Sequence, residues 1–196
     1  MTQRDEQRDQ TRREKILNSA LEIFIERGFA GTSMSMIAKK AEVPQSLIYH
    51  YFENKERVWR EVKAALMAYY DNEEDLENWD ELSFKTFIEK LVSRRVRFYL
   101  KNPLVMRMIN WQRLEADPVL EGQTPLTVTW LTPYLKYYQE KGQMRRDLDP
   151  MQIATWVITS ITAPLFDYYA MYQNNLSLQE NYIQMVSSCL FRALCC

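Results

Sequence analysis

Apolar positions recur with a helical period along most of this 196-residue chain. After a polar start expected to fray, Ile16, Leu17, Ala20, Leu21, Phe24 and Ile25 lie three and four residues apart, and Gly28 follows as a stop signal. Ser33 and Ser35 are N-cap types placed just before Met36-Ile37-Ala38, which predicts a short helix running to about Ala41. Pro44 suits a first helical turn but not an interior, so Pro44 to Tyr51 reads as a third helix, and a fourth follows from about Asn54 to Tyr70. Asp71 to Glu81 is too acidic for a core element and reads as a linker between a small module and a larger remainder. Further helices are expected at about 83–101, 103–116, 125–141, 150–173 and 177–194, set off by Asn102-Pro103, Thr124-Pro125, Gly142, Asp149-Pro150 and Ser177. The expected fold is all-α with about nine helices, divided into domains at 1–60 and 61–196.

Composition narrows the class. The chain is 46% hydrophobic and 26% charged, which supports a packed core, and only four glycines and seven prolines leave little for the many turns of a sandwich or barrel. No window approaches the roughly 18 apolar residues of a spanning helix. The charged N-terminus has no apolar signal core, so a soluble, cytoplasmic protein is expected. Cys189, Cys195 and Cys196 crowd the C-terminus without a metal-binding spacing and read as reduced, inert thiols. His50 is the only histidine, which excludes a His-rich metal site. No Ser-His-Asp or Cys-His set presents itself, so neither catalysis nor a cofactor is expected.

The net charge of −1 hides an asymmetry: residues 1–60 carry 11 Lys/Arg against 9 Asp/Glu, the rest 14 against 17. That balance gains meaning from the motif beside it. Two short helices joined by a tight connection and packed on a longer first helix form a helix-turn-helix unit, whose second helix enters a major groove. Such a helix needs short polar side chains at its start to reach base edges, and donors at its flanks to grip phosphates. Gln45, Ser46, Tyr49, Tyr51 and Lys55 meet those needs, Gln45 by bidentate pairing with adenine.

The run Thr32-Ser33-Met34-Ser35-Met36-Ile37-Ala38-Lys39-Lys40-Ala41, followed by Leu47-Ile48-Tyr49-His50-Tyr51-Phe52-Glu53-Asn54-Lys55-Glu56, resembles the TetR-type bacterial transcriptional repressors. The resemblance covers roughly residues 10–60. It implies DNA contacts from Ser33, Ser35, Gln45, Ser46, Leu47, Tyr49, Tyr51 and Lys55, with Ile37, Ala38 and Phe52 as core. It also implies a homodimer formed by the last two helices, a palindromic double-stranded operator and a small-molecule effector bound in the C-terminal domain. The chain departs from the pattern at the turn, where Glu42 stands in place of the usual glycine and Pro44 in place of a common serine. A carboxylate there would oppose phosphate. The alternative is therefore a helical ligand-binding or protein-interaction module that has lost DNA binding.

Beyond the motif, Phe84, Phe87, Ile88, Leu91, Val92, Phe98 and Tyr99 define one apolar face, and Arg95 falls at its centre. A guanidinium buried there needs a carboxylate such as Glu115 or Asp167, a set of carbonyls, or an anionic ligand. Trp111, Trp130, Tyr134 and Phe166, with Phe98, are either core or the lining of an apolar cavity. Segment 150–173 is apolar nearly all round, and Pro164 within it is expected to cause a kink. Trp156 and Ile161 there, with Tyr182, Val186 and Leu190 on the last helix, are the expected dimer interface.

Overall fold

The computed structural model describes residues 3–71, 79–115 and 126–196, so most of the acidic stretch read as a linker, and the start of the helix expected from 125, lie outside the described residues. The described residues form ten α-helices, one 3₁₀ turn and no strand, which establishes the all-α class. None of these helices is long and apolar enough to cross a membrane. The chain divides into two compact units, Met1–Asn72 with Leu104–Gly122, and Glu73–Pro103 with Gln123–Cys196.

In the first unit α1 (Gln3–Arg27) buries Ile16, Ala20, Ile23 and Phe24 along one stripe. It ends at Gly28, whose φ of 71° lies in the left-handed region that glycine tolerates. The N–H of Gly28 returns to the Phe24 carbonyl at 2.9 Å, and the Thr32 hydroxyl donates to the Gly28 carbonyl at 2.6 Å. Ser33 caps α2 (Met34–Ala41), accepting from the Met36 N–H at 3.2 Å. The α2–α3 turn passes through Glu42 at φ 54°, a conformation that costs a non-glycine residue roughly 1–2 kcal/mol. Pro44 opens α3 (Gln45–Tyr51), and Asn54 caps α4 (Lys55–Asp71) through the Arg57 N–H. The core of these helices is Ile37, Ala41, Ile48, Phe52, Val58 and Val62 around Trp59, which meets Phe24 edge-on at 4.9 Å.

From Leu104 onward α6 (Pro103–Glu115) belongs to this same unit. The Trp111 indole donates to the Ile25 carbonyl at 3.1 Å, while the Glu115 carboxylate accepts from the Phe29 and Ala30 amides at 3.1 and 3.0 Å. Gly28 is required by this approach as well as by its φ: a Cβ there would stand 2.6 Å from the Trp111 ring and closer still to Glu115.

The second unit holds a 3₁₀ turn (Trp79–Glu81), α5 (Phe84–Lys101), α7 (Leu126–Glu140), α8 (Pro150–Asp167), α9 (Tyr169–Gln173) and α10 (Leu176–Leu194). Helix α5 packs on α8 and α10, and α7 packs on α8, around Phe87, Leu91, Leu135, Tyr138, Val157 and Leu190. The segment expected as one helix over 150–173 is two, because the chain turns at Tyr168, whose N–H returns to the Pro164 carbonyl at 3.0 Å. Pro164 has no N–H for the Ser160 carbonyl one turn earlier. The buried Tyr182 hydroxyl of α10 supplies a donor instead, reaching the carbonyls of Ser160 at 2.9 Å and Ile161 at 3.0 Å. Helix α8 therefore runs through its proline with that carbonyl satisfied.

Candidate functional site

Helix α3 is seven residues long and is held from behind by Ile48 and by Phe52 at its C-cap, both fully buried. With those two facing inward, the helical period turns Gln45, Ser46, Tyr49 and His50 to solvent, Tyr49 with 49% of its surface exposed. Leu47 is half-buried, and Ser33 and Ser35 are exposed around the start of α2. Beside α3 lies a shallow concavity of about 520 Å³ lined by Arg12, Glu42, Val43, Pro44, Ser46, Leu47 and His50. Short polar side chains and one guanidinium share this surface, a composition suited to base edges and phosphates.

Three polar groups at its borders, on Glu42, Tyr51 and Lys55, are engaged within the unit. The Glu42 carboxylate pairs with Lys15 at 3.0 Å, so the negative charge that stands where the resemblance implies a glycine is matched by a cation from α1. The Tyr51 hydroxyl donates to Asp9, and that hydrogen bond, with burial and the carboxylate's charge, holds the phenol above its ordinary pKa. Lys55 donates to the carbonyls of Phe29 and Thr32, both at 2.9 Å, and its ammonium stands 4.1 Å from the centre of the Phe29 ring. An ammonium has three protons, so one remains for an outside acceptor. Asp9 and Lys15 were not singled out from sequence. Their signal was available in α1, whose frayed-looking start continues the register of the buried stripe.

In the second unit Arg95 lies where its place on the apolar face predicts, 5% exposed and flanked by buried Leu91, Val92, Val96 and Tyr99. Neither expected carboxylate meets it: Glu115 is engaged by the Phe29 and Ala30 amides in the other unit, and Asp167 is exposed at the end of α8. The guanidinium stands over the Trp130 ring, 5.2 Å from its centre, and its buried Nε has no hydrogen-bond partner among the described residues. A cation over a desolvated indole gains about 2 kcal/mol, against a cost of several kcal/mol for a buried charge without an acceptor.

Around Trp130 the aromatics form a continuous cluster, with Trp79 at 5.6 Å and Tyr134 at 5.2 Å, and Phe87 4.8 Å beyond Trp79. Trp79 was passed over because it ends an acidic run, although an indole in such a run is itself a sign of burial. Of the other residues expected near a ligand, Phe98 and Phe166 are half-buried in this unit, and Trp111 sits in the other unit against α1. Of those expected at a dimer interface, Trp156 is 46% exposed, whereas Ile161, Tyr182, Val186 and Leu190 are buried within the protomer.

Comparison with known proteins gives these surfaces a context. Residues 16–62 match the family model described as "Bacterial regulatory proteins, tetR family". The chain is 25% identical over 151 residues to the HTH-type transcriptional repressor NicS of Pseudomonas putida, covering 74% of this chain and 71% of that protein. Its fold matches a TetR family transcriptional regulator from Pseudomonas syringae, with a TM-score of 0.71, 21% identity, and 93% and 96% of the two chains covered. It also matches the flavonoid-responsive regulator FrrA, with a TM-score of 0.72, 19% identity, and 94% and 97% covered.

Proposed function

This chain belongs to the tetR family of bacterial regulatory proteins, and from that premise we propose that it is a repressor that binds a palindromic operator as a homodimer and leaves it when a small molecule binds. In this reading residues 1–60 are the DNA-binding domain and 61–196 the effector and dimerisation domain. The observation that carries it is α3, a short helix anchored by Ile48 and Phe52 that turns Gln45, Ser46 and Tyr49 outward inside the family-matched segment. Gln45 and Ser46 read bases. Tyr49, Tyr51, Lys55, Ser33 and Ser35 hold phosphates, and Leu47 packs against the groove.

The pairing of Glu42 with Lys15 removes the main reason for a module that has lost DNA binding. Dimerisation uses the outer faces of α8 and α10, where Trp156 and Met185 are exposed, while Tyr182 and Leu190 support them from within. Repressor relatives and a flavonoid-responsive neighbour support regulation by a ligand, and no catalytic step is assigned. A protein with DNA as its partner acts in the cytoplasm. Effector and operator oppose each other through linkage, with a coupling of about 1–3 kcal/mol.

The test is a salt titration of binding to a duplex selected from a random library. Phosphate neutralisation gives a slope of about −0.9 per contact. Tyr49→Phe is expected to weaken binding to all duplexes alike, and Gln45→Ala to change their ranking. An affinity independent of salt would overturn the reading.

A further inference from the structure

Several guanidiniums among the described residues are paired at the surface. Arg97 pairs with Glu180 at 2.7 Å, Arg57 with Glu61 at 2.7 Å, Arg13 also with Glu61, and Arg146 donates to the carbonyls of Gln139 and Glu140 at 2.7 and 2.9 Å. All of these reach solvent. Arg95, at 5% exposure, is more deeply buried than any of them, and its buried Nε has no hydrogen-bond partner among the described residues. A buried arginine with only a structural role gathers carboxylates or carbonyls, because its five N–H groups are costly to leave unmet.

Two further polar groups stand beside Arg95, less deeply buried. Trp130 and Tyr134 stand one turn apart on α7 with their rings 5.2 Å apart, both half-buried, and neither the indole N–H nor the phenol hydroxyl makes a hydrogen bond among the described residues. By contrast Tyr138, one turn further on, donates to the Trp79 carbonyl at 2.8 Å, and Tyr182 donates to two carbonyls of α8. Arg95 Nε, the one buried side-chain nitrogen without a partner among the described residues, therefore has two half-buried donors near it, where the guanidinium faces the Trp130 ring.

We propose that this place receives an organic acid: a carboxylate carried on a flat, conjugated body, the acid group taken by Arg95 and the body lying against Trp130 and Tyr134. The claim rests on the ligand-responsive reading above and names the chemical class of its effector. A planar guanidinium matches a carboxylate through two parallel hydrogen bonds, which an amide or an alcohol does not reproduce. The indole N–H and the phenol are donors too, and donors favour an anion. Aromatic faces beside the cation favour a flat partner over a branched aliphatic one. A cationic ligand is excluded by repulsion from a buried charge of the same sign.

The experiment uses the full chain and three matched pairs of probes, benzoate and benzamide, 2-naphthoate and 2-naphthamide, and indole-3-acetate and indole-3-acetamide. Binding is followed by calorimetry and by tryptophan fluorescence for the parent, Arg95→Met and Arg95→Lys. The parent is expected to prefer at least one acid over its amide by about tenfold or more, the scale of a charge-assisted hydrogen bond. Arg95→Met loses that preference while its affinity for the amide stays within about threefold, and Arg95→Lys, which keeps the charge but not the fork, retains part of it. Equal affinity for acid and amide in every pair, or a preference that survives Arg95→Met, overturns the proposal.

Ligand-free melting gives a second readout. A cation kept for a ligand is a burden without one, so Arg95→Met should melt at or above the parent; a drop of several degrees would return Arg95 to a structural role. Operator binding by salt titration, run on the same proteins, separates the two claims. If the duplex is bound but no acid is preferred, the effector class falls and the regulator stands. An acid preference without duplex binding would leave the acid site intact and remove the regulator.

Discussion

The two units of this chain differ in how the charges nearest their candidate sites are met. In the first, ionic groups around the exposed helix α3 find counterparts inside the unit: Glu42 with Lys15, Arg13 with Glu61, Tyr51 with Asp9, Lys55 with two carbonyls, and Glu115 with two amides. In the second, the buried Arg95 keeps its Nε without a hydrogen-bond partner among the described residues while its guanidinium lies over the Trp130 ring. A surface that must meet a rigid duplex in register gains from being fixed beforehand, since ordering it during binding would subtract from affinity. A site that must sense a small molecule needs polar groups whose best partner arrives from outside. In the proposed function, the difference separates a surface that presents a shape to DNA from a site that takes its charge partner from a ligand.

Three perturbations break or sharpen that contrast. The largest effect is expected for Gly28→Ala, which sets a Cβ against Trp111 and Glu115 in a backbone conformation that disfavours it. The loss should be about 3 kcal/mol or more in the first unit. Amide hydrogen exchange is the measurement, because it reports the two units separately. Uniform loss of protection in both units would deny that they satisfy themselves independently.

Next in size is the alkaline response of the second unit. Burial pushes the Tyr138 and Tyr182 phenols up to about 12, above their value near 10 in the unfolded chain. A raised folded pKa means that this stability is fully present below pH 10 and is lost as pH rises toward 12. Absorbance of phenolate against pH should show two tyrosines ionising only with unfolding in that window. If all tyrosines titrate reversibly in the folded protein near pH 10, the buried hydroxyl bonds are not as described.

The smallest effect is expected for Glu42→Gly. Relief of the left-handed backbone at the end of α2 should outweigh an exposed ion pair worth about 0–1 kcal/mol, for a net gain of about 0.5–1 kcal/mol. The freed Lys15 and the missing carboxylate should also tighten duplex binding at low salt. Denaturant unfolding and the same salt titration measure both, and a less stable protein would show that the Lys15 pair matters more than the strain.

What was legible beforehand was what local chemistry encodes. Ser33, Pro44 and Gly28 mark helix ends through their own side chains or backbone, so α1 to α3 could be placed from sequence and the family resemblance followed from them. The central position of Arg95 on α5 was readable for the same reason, as periodicity alone assigns it. Its lack of a partner was not, because partners come from other elements. The same limit explains Trp111: an apolar face shows that a residue is buried, not against which helix. Ile161, Tyr182, Val186 and Leu190 were read as awaiting a second protomer, but a stripe looks alike whether it packs within the chain or outside it. The turn at Tyr168 escaped notice because Pro164 drew attention to the wrong position, and the Tyr182 hydroxyl that sustains α8 there is a tertiary contact.

The bonds from α6 to the end of α1 also bear on how the protein is made. The Phe29 amide and the Glu115 carboxylate are 86 positions apart in the chain, and the family-matched segment ends at residue 62. At about 5–20 residues per second, a ribosome needs roughly 3–10 s to travel from the end of that segment to Glu115. During that interval α1 to α4 can gather around Trp59, but the loop after Gly28 has only water for its amides. The family-matched segment is thus continuous in sequence while the unit that contains it is not, and that unit's bonds to Glu115 close only after α5 has been synthesised.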